Sequence, residues 1–330
     1  MRVIDIYNHR MVPTEGDFGI EIEIEGDRVT IPRNQYWNQE ADGSLRPKPE
    51  CCEYVLKKPL SYEGAIKAID WLNKQHKEAG TVANWSFRCS THVHLNVQEM
   101  LVKDLLILTY LYYIFEEPIV KWAGEERVGN RFCLRLQDSM EIPFTVEEVF
   151  SNNLGRINGD AIRYAALNLA AISKYGSIEF RSLNGTTDKE RISKWLNAIM
   201  SLKTFAEKVK DVEEVFNLAI KDLNELGEEV FGNFFSELYF PNWERAALYN
   251  MSCNMNFIEL YKKVEKNEKA YFERVQQRQQ ELELAQKRAE ELRRAQEAGL
   301  QNQAEEERPA NQLGVEGLAR ALQRAERARR

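Results

Sequence analysis

The run FGIEIEIE at residues 18–25 alternates apolar and acidic side chains, and it is the first segment whose residue types could do chemistry. Successive side chains of a β-strand point to opposite faces, so Glu21, Glu23 and Glu25 would share one face and the isoleucines the other. Carboxylates two residues apart on a strand repel one another, and a bound divalent cation would relieve that repulsion. The segment predicts either a metal site or a half-buried strand with a solvated acidic face.

A second alternating segment, THVHLNV at residues 91–97, places His92, His94 and Asn96 on one face of a strand and apolar residues on the other. The chain contains only four histidines. Two of them on one face of a strand are better explained by a ligand-binding site than by a purely structural role.

The third alternating segment is SIEFR at residues 177–181. As a strand, it would place Glu179 and Arg181 on one face and two apolar side chains on the other. Alone, it would suggest a salt-bridged sheet surface. If the three strands share one sheet, its polar face combines acids suited to Mg²⁺ or Mn²⁺ with an arginine suited to phosphate. The residues of that face are Glu21, Glu23, His92, Glu179 and Arg181. This arrangement predicts chemistry on nucleotide phosphates.

The elements that must position these side chains are mixed strands and helices. Beside the three strands, residues 30–60 contain four prolines and are predicted to be loop with one or two short strands. Apolar residues at helical spacing predict helices at 62–79, 98–117, 161–174 and 188–210. Because these elements lack a regular βαβ rhythm, the expected fold class is α+β with a largely antiparallel sheet.

The composition changes after Leu260. Residues 262–308 are dominated by Lys, Glu, Gln, Arg and Ala, which predicts a long solvated helix. We therefore expect a catalytic domain at 1–261 and a charged helical tail at 262–330. The alternatives for the tail are a coiled coil, a docking helix for a protein partner or for an acidic surface, or a contact that forms an oligomer.

Composition also argues against several functional classes. The chain has 45 Lys and Arg against 52 Asp and Glu, a formal net charge of −7, which disfavours a nucleic-acid binder. The most apolar run, Leu105–Phe115, is too short to span a bilayer, and residues 1–30 lack the features of a secretory signal. Five scattered cysteines do not suggest a disulfide framework. A soluble cytoplasmic protein without membrane or nucleic-acid partners is expected.

The order of several short motifs resembles that of the phage and bacterial amidoligases, a branch of the glutamine-synthetase-like carboxylate–amine ligases. The motifs lie between residues 15 and 190, so the helical tail is outside them. In chain order they are FGIEIE at 18–23, DGSL at 42–45, Glu53 followed by KPL at 58–60, HVH at 92–94, Arg163-Tyr164 with Asn168, and IEFR at 178–181 leading into NGT at 184–186.

The resemblance implies an antiparallel catalytic sheet forming an open funnel, with ATP entering one end and the acceptor substrate the other. It also implies action inside an infected bacterium. The metal ligands implied by the matching positions are Glu21, Glu23, Glu53, His92 and Glu179, with Glu50 as an alternative to Glu53. His92 would contact metal or ATP phosphate, and His94 is its partner.

The resemblance assigns catalytic roles to Glu179, Arg181 and Arg163. Glu179 would bind the metal nearest the γ-phosphate, Arg181 would neutralise the phosphoryl group in transfer, and Arg163 would hold phosphate or a substrate carboxylate. Arg127 and Arg131 flank Gly129-Asn130 and are further candidates to bind ATP phosphate, with a solvated loop as the alternative. Ser90 stands where the family usually has glycine, and we expect only a small change in loop shape from it.

The expected reaction is ATP- and Mg²⁺-dependent amide formation between a carboxylate substrate and an amine donor, through an acyl phosphate. A site made of acids, metals and arginines suits such transfer, which needs mainly positioning and charge neutralisation. We expect Arg181→Ala to abolish turnover while the fold stays intact.

Three alternatives belong to other functional classes. A zinc hydrolase could use Cys89, His92 and His94, with Cys51 or Cys52 as a further ligand. However, Cys89 has the opposite strand parity from both histidines, so it joins them only if the strand begins after it. A non-catalytic phage structural or assembly protein could act through the tail. Nucleophilic catalysis by a cysteine would need one to fold against His92.

Overall fold

A computed structural model of the chain describes residues 1–7, 14–26, 30–46, 51–81, 84–155, 157, 162–253 and 256–306, together with 314, 317–320 and 323–324. The chain divides into a first unit, Met1–Ala270, and a second unit, Tyr271–Arg330. None of the helices in these ranges is both long enough and apolar enough to cross a membrane.

A six-stranded sheet is the centre of the first unit, counted over the described residues. Its strands are β1 Phe18–Ile24, β2 Trp37–Glu40, β3 Cys52–Leu56, β4 Thr91–Asn96, β5 Leu167–Asn168 and β6 Ser177–Phe180. Their order across the sheet is β2-β3-β1-β4-β6-β5, and each neighbouring pair is antiparallel. The α+β class and the antiparallel sheet are confirmed, and β2 and β3 are the short strands expected within residues 30–60.

The helices of the first unit surround one face of this sheet. Their bounds are α1 Val3–Tyr7, α2 Tyr62–Glu78, α3 Val102–Ala123, α4 Glu141–Ser151, α5 Ile172–Tyr175, α6 Lys189–Lys208, α7 Val212–Lys221, α8 Leu223–Phe231, α9 Phe235–Leu238 and α10 Trp243–Cys253. A last helix, α11, spans Phe257–Glu306 and contains the boundary between the two units.

Strand parity separates an apolar face from a polar face. The apolar residues of β1, from Phe18 to Ile24, are at most 1% exposed. On the same face, Phe180 of β6 packs edge-on against Tyr112 of α3 at 5.5 Å between ring centroids. Trp37 of β2 donates from its indole nitrogen to the Ala68 carbonyl of α2 at 2.9 Å. The helices therefore cover the apolar face, and the acids and histidines of the strands are left on the other.

Helix α3 is the core of the helical layer, and nearly all of its side chains are buried. Phe115 stacks on Trp243 of α10, and Trp122 stacks on Trp195 of α6. The helix was predicted at 98–117 but continues through Pro118 to Ala123. A proline inside a helix removes one backbone hydrogen bond, and burial on all sides of the helix compensates for that loss.

The helix predicted at 161–174 is wrong in the part that the structure describes. Leu167 and Asn168 pair with Phe180 and Glu179 as β5, and Ile172–Tyr175 is a separate short helix that follows this strand. Pairing with a strand edge prevails over helical spacing, which is a weak local preference. In the second unit, the side chains of residues 272–297 are all exposed, as expected of a solvated helix. Pro309 and Asn311, whose residue types predict the end of this helix, lie outside the described residues.

Candidate active site on the polar face of the sheet

A row of acidic and imidazole side chains crosses the polar face because the strand register aligns them. Glu21 on β1 lies opposite His92 on β4, and Glu23 lies opposite Glu53 on β3. Glu179 on β6 continues the row beyond β4. The three alternating segments are therefore adjacent strands of one sheet, as the predicted shared site requires.

Two imidazoles connect the carboxylates of this row. His92 Nδ1 lies 3.2 Å from Glu21 Oε2 and 3.3 Å from Glu179 Oε1. His94 Nε2 lies 3.4 Å from Glu21 Oε1, and its Nδ1 lies 3.1 Å from Ser177 Oγ. Both histidines thus contact Glu21, and only His92 lies among the acids on the Glu23 side of the row.

Ser90 positions two of these groups, a role that the sequence did not reveal. Its hydroxyl donates to Glu23 Oε2 at 2.6 Å and lies 2.6 Å from His92 Nε2. Its backbone N–H donates to the same Glu23 oxygen at 2.8 Å. Ser90 lies two positions before His92, so both side chains point to the same face of the strand. This spacing is the feature of the sequence that could have indicated a contact between Ser90 and the site. The residue therefore orients the site rather than only shaping the loop.

Arg181 extends the row at the β6 side. Its guanidinium pairs with Glu179 Oε1, while Asn168 Nδ2 donates to Glu179 Oε2 at 2.6 Å. The Arg181 Nε donates to the Phe132 carbonyl at 3.3 Å. Glu179 is only 5% exposed, so these partners supply the hydrogen bonds that water would otherwise make.

The electrostatics of the row favour charged side chains despite their burial. Burial raises the pKa of Glu21, but hydrogen bonds from His92 and His94 outweigh it and lower its net pKa well below the usual value. Burial also raises the pKa of Glu179, and the positive charge of Arg181 and the two histidines lowers it overall. Burial lowers the pKa of His94, yet its hydrogen bond to Glu21 and the charge of Glu179 raise it overall. The row is thus a preorganised charged network.

Glu53 is the exception, because its neighbours are mostly acids. Burial, followed by the charges of Glu21, Glu23 and Asp42, raises the pKa of Glu53 to about 9. Its carboxylate makes no hydrogen bond or ion pair with another described residue. Asp42, the first residue of the DGSL motif, is half-buried beside it and accepts from the Ser44 backbone N–H at 2.5 Å.

Within the part of the chain that the structure describes, three sets of side chains have ligand atoms that lie within 4.8 Å of one another, close enough to share a metal ion. The sets are Glu21–His94–Glu179, Glu21–Glu53–His92 and Glu23–Asp42–Glu53. Oxygen-rich sets with an imidazole fit Mg²⁺ or Mn²⁺, and the mutual repulsion around Glu53 is what a cation would relieve. All five predicted metal ligands lie in these sets, and Asp42 and His94 join them.

Glu53→Gln is expected to stabilise the metal-free protein and to weaken its response to Mg²⁺. The folded protein holds a proton on Glu53 above the pH at which the unfolded chain has released it. Stability is therefore fully present below about pH 4.5 and declines as pH rises towards 9. At pH 8 we expect the variant to be more stable by about 1–2 kcal/mol, allowing for partial exposure. Urea unfolding with EDTA and with Mg²⁺ measures both effects, and a variant less stable than wild type in EDTA would contradict this account.

A cleft of about 410 Å³ opens over the acids at the Glu23 side of the row. Arg88, Arg163 and Arg181 line it together with Phe132 and Tyr164. The predicted Arg163 therefore reaches the site, and its guanidinium lies 5.1 Å from the Tyr164 ring centroid. Arg88, which the sequence did not single out, lies 5.8 Å from the Phe132 ring centroid and donates to the Ser44 carbonyl at 3.3 Å.

Three other candidates have different positions. Arg131 is exposed and lies 4.9 Å from the Phe132 ring centroid, outside the residues that line the cleft. Arg127 is fully buried and donates to the carbonyls of Arg181 and Phe87, so the prediction that it binds phosphate is wrong. It supports the main chain of Arg181 instead. Glu50 lies outside the described residues.

The cysteines do not form the alternative sites. Cys89 is buried with Leu45 and Cys51 and does not share the strand face of the two histidines. None of the metal-ligand sets found among the described residues includes a cysteine. Burial raises the pKa of the Cys89 thiol to about 11 and also raises that of Cys133. These thiols are therefore protonated at neutral pH and are poor nucleophiles.

Comparison with known proteins agrees with this geometry. Residues 52–202 match a family model described as "Putative amidoligase enzyme". No curated protein matches the chain. The matched range contains Glu53, His92, His94, Glu179 and Arg181, and the sheet places β1, which precedes it, between β3 and β4. The resemblance seen in the motifs is confirmed over residues 52–202, which match the amidoligase family model.

Proposed function

We propose that this protein is an ATP- and Mg²⁺-dependent carboxylate–amine ligase that forms an amide through an acyl phosphate. The family match supports an amide-forming ligase. One observation supports the dependence on ATP and Mg²⁺: three sets of metal-ligand side chains and a buried Glu179–Arg181 ion pair lie on the same polar face of the sheet. Acids suited to a divalent cation beside a guanidinium suited to phosphate form a phosphoryl-transfer site.

The residues that would hold metal are Glu21, Glu23, Asp42, Glu53, His92, His94 and Glu179. Mg²⁺ bound there would offset the negative charge of the ATP phosphates and of the transferring phosphoryl group. The protein contributes orientation: Ser90 holds Glu23, and Asn168 and Arg181 hold Glu179. These contacts between protein groups fix the directions of the two carboxylates, so little reorganisation is needed.

The arginines of the cleft would bind phosphate oxygens. The Arg181 guanidinium pairs with Glu179 and donates to the Phe132 carbonyl. These two contacts fix its orientation beside the acids. Arg163 and Arg88 lie on aromatic rings at the cleft wall, where they meet solvent and could neutralise phosphates that the metal does not reach.

The chemistry needs no protein nucleophile, which agrees with the protonated buried thiols. A substrate carboxylate oxygen would attack the γ-phosphorus with departure of ADP. An amine would then attack the acyl carbon, phosphate would leave, and the nitrogen would lose a proton to give the amide. Holding both substrates in line lowers the barrier mainly through positioning.

The proposal is tested by thermal unfolding of the full chain with EDTA, with Mg²⁺ and ATP, and with Zn²⁺ alone. A ligand at 100 times its dissociation constant stabilises the folded state by about 2.7 kcal/mol, so a clear rise with Mg²⁺ and ATP is expected. Glu179→Gln should lose this rise, because the row loses a charged ligand. Glu229→Gln, which changes an exposed acid of α8, should keep it.

The outcomes separate the candidate functions. A rise with Zn²⁺ alone would favour the hydrolase over the ligase. The absence of a rise with either ligand would indicate that the face is not a nucleotide site. A rise that survives Glu179→Gln would remove Glu179 from the proposed metal site while leaving nucleotide binding elsewhere.

A further inference from the structure

Arg127 is a fully buried arginine that forms no ion pair with any described carboxylate. Its Nη1 donates to the Phe87 carbonyl at 3.3 Å and its Nη2 to the Arg181 carbonyl at 3.0 Å. Its Nε has no hydrogen-bond partner among the described residues. A buried charge without an opposite charge costs free energy that an apolar side chain of similar size would not cost. Stability alone therefore does not account for an arginine at this position.

The two carbonyls that Arg127 contacts belong to two segments that carry arginines of the cleft. Phe87 directly precedes Arg88, and both Arg88 and Arg181 line the cleft. The register pairs of β4 and β6 end at Val93 and Phe180, so neither cleft arginine belongs to them. The guanidinium of Arg127 therefore joins two segments that the register of these strands does not pair.

The turn that begins at Arg127 holds each of these segments a second time. Asn130 Nδ2 also donates to the Phe87 carbonyl, at 2.9 Å. Asn130 Oδ1 accepts from the Phe132 backbone N–H at 3.0 Å, and the Phe132 carbonyl in turn accepts from Arg181 Nε at 3.3 Å. One turn thus fixes Arg181 at its main chain and at its guanidinium, and it fixes the main chain next to Arg88.

We propose that Arg127 is a positioning residue that sets the spacing of Arg88 and Arg181 for the binding of one polyphosphate. The inference rests on the proposed ligase function and adds a residue that acts on its nucleotide site without touching the ligand. A guanidinium presents its donors in a rigid planar fork, so it holds two carbonyls at a fixed separation. Charge-assisted hydrogen bonds to phosphate need short and well-aligned contacts, which makes the spacing of the two cleft arginines decisive.

A double-mutant cycle measured by calorimetry with Mg²⁺ and ATP on the full chain tests this coupling. Arg127→Met and Arg88→Met should each weaken ATP binding about tenfold. The two changes together should weaken it at least about threefold less than the product of the separate factors, because both act through Arg88. Arg127→Lys keeps the charge but offers one nitrogen in place of two, so its ATP affinity should stay at least about threefold below wild type.

Arg191→Met is the matched control, because Arg191 Nη2 also donates to two main-chain carbonyls, those of Trp122 and Ala123 in α3. Neither of these residues lines the cleft, so this variant should bind ATP as wild type does.

Amide hydrogen exchange of the ligand-free protein gives a second readout that needs no nucleotide. The Cys89 N–H donates to the Ser86 carbonyl at 3.0 Å, and the Arg181 N–H donates to the Ala166 carbonyl at 2.9 Å. Both amides should exchange about tenfold faster in Arg127→Met, because the two segments lose their common contact. They should exchange at the wild-type rate in Arg191→Met.

Independent effects in the cycle, wild-type affinity in Arg127→Lys, or an equal loss in Arg191→Met would overturn the inference. If Arg127→Met does not fold, Arg127→Lys is used in the same cycle and in the same exchange measurement. If wild type binds ATP and neither affinity nor exchange changes in the Arg127 variants, the positioning inference fails and the ligase proposal survives. If exchange accelerates as expected but wild type does not bind ATP, Arg127 still positions the two segments and the ligase proposal fails.

Discussion

Replacement of Arg181 by lysine is expected to lower the rate of ATP-dependent amide formation about 10³-fold or more. Arginines at a transferring phosphoryl group contribute rate factors on the order of 10³–10⁵. Lysine keeps the positive charge but loses the planar guanidinium that can pair with Glu179 and a phosphate oxygen together. The measurement is phosphate release at saturating Mg²⁺ and ATP with a carboxylate and an amine that support turnover.

The structure changes the expectation for Arg181→Ala. Glu179 is buried and pairs with Arg181, so alanine would leave a buried carboxylate with fewer partners. His92 and Asn168 still contact Glu179, and we therefore expect a loss of stability of about 2 kcal/mol rather than an intact fold. Arg181→Lys retains a cation for Glu179 and separates the catalytic effect from the structural one.

Arg245→Lys is the matched control, because Arg245 is an exposed arginine of α10 far from β6 in the chain. It should retain wild-type turnover and stability. Retention of more than a tenth of wild-type turnover by Arg181→Lys and by Arg181→Ala would remove Arg181 from phosphoryl transfer, even if both variants unfold at lower temperature.

Gly16→Ala is expected to destabilise the first unit by about 3 kcal/mol, the upper part of the range for overpacking. A β-carbon at this position would lie 2.2 Å from the Pro59 carbonyl carbon and 2.5 Å from the Leu60 nitrogen. Main-chain atoms cannot move aside as a flexible side chain does. The neighbouring hydrogen bond from Asp17 N–H to the Leu60 carbonyl, at 3.0 Å, would lengthen or break.

Urea unfolding followed by circular dichroism measures this loss. Gly43→Ala is the control for stability, because a β-carbon at Gly43 meets nothing within 4 Å. That change should be neutral or stabilising by less than about 1 kcal/mol, since alanine reduces the freedom of the unfolded chain. Equal stability of Gly16→Ala and wild type would show that the main chain at Pro59 yields easily.

The sequence alone determined the two faces of each site strand. Alternation of isoleucine with glutamate in β1, and of valine and leucine with histidine in β4, separates the side chains by parity wherever these strands fold. Parity is a local property with a period of two residues, so it needs no knowledge of the neighbours. The α+β class and the acids, imidazoles and arginine of the row followed from it, and the motif order indicated the family.

Only the tertiary structure decided which distant groups complete the site. Asp42 and Arg88 come from segments without alternation, and their positions beside Glu53 and at the cleft depend on chain reversals that local patterns do not encode. Ser90 has the parity of His92, but its contact with Glu23 depends on the position of the neighbouring strand β1. Arg127 was predicted as a phosphate ligand, yet it is buried beneath the Arg181 main chain.

The charge states of the site carboxylates also depend on the tertiary structure and could not be predicted from the sequence. Glu21 and Glu53 are equivalent in type, but two imidazoles lower the pKa of the first, whereas burial among acids raises that of the second. The pKa of a side chain follows from desolvation and from the charges within a few ångströms of it. Those neighbours belong to strands far apart in the chain, so sheet order and register decided them.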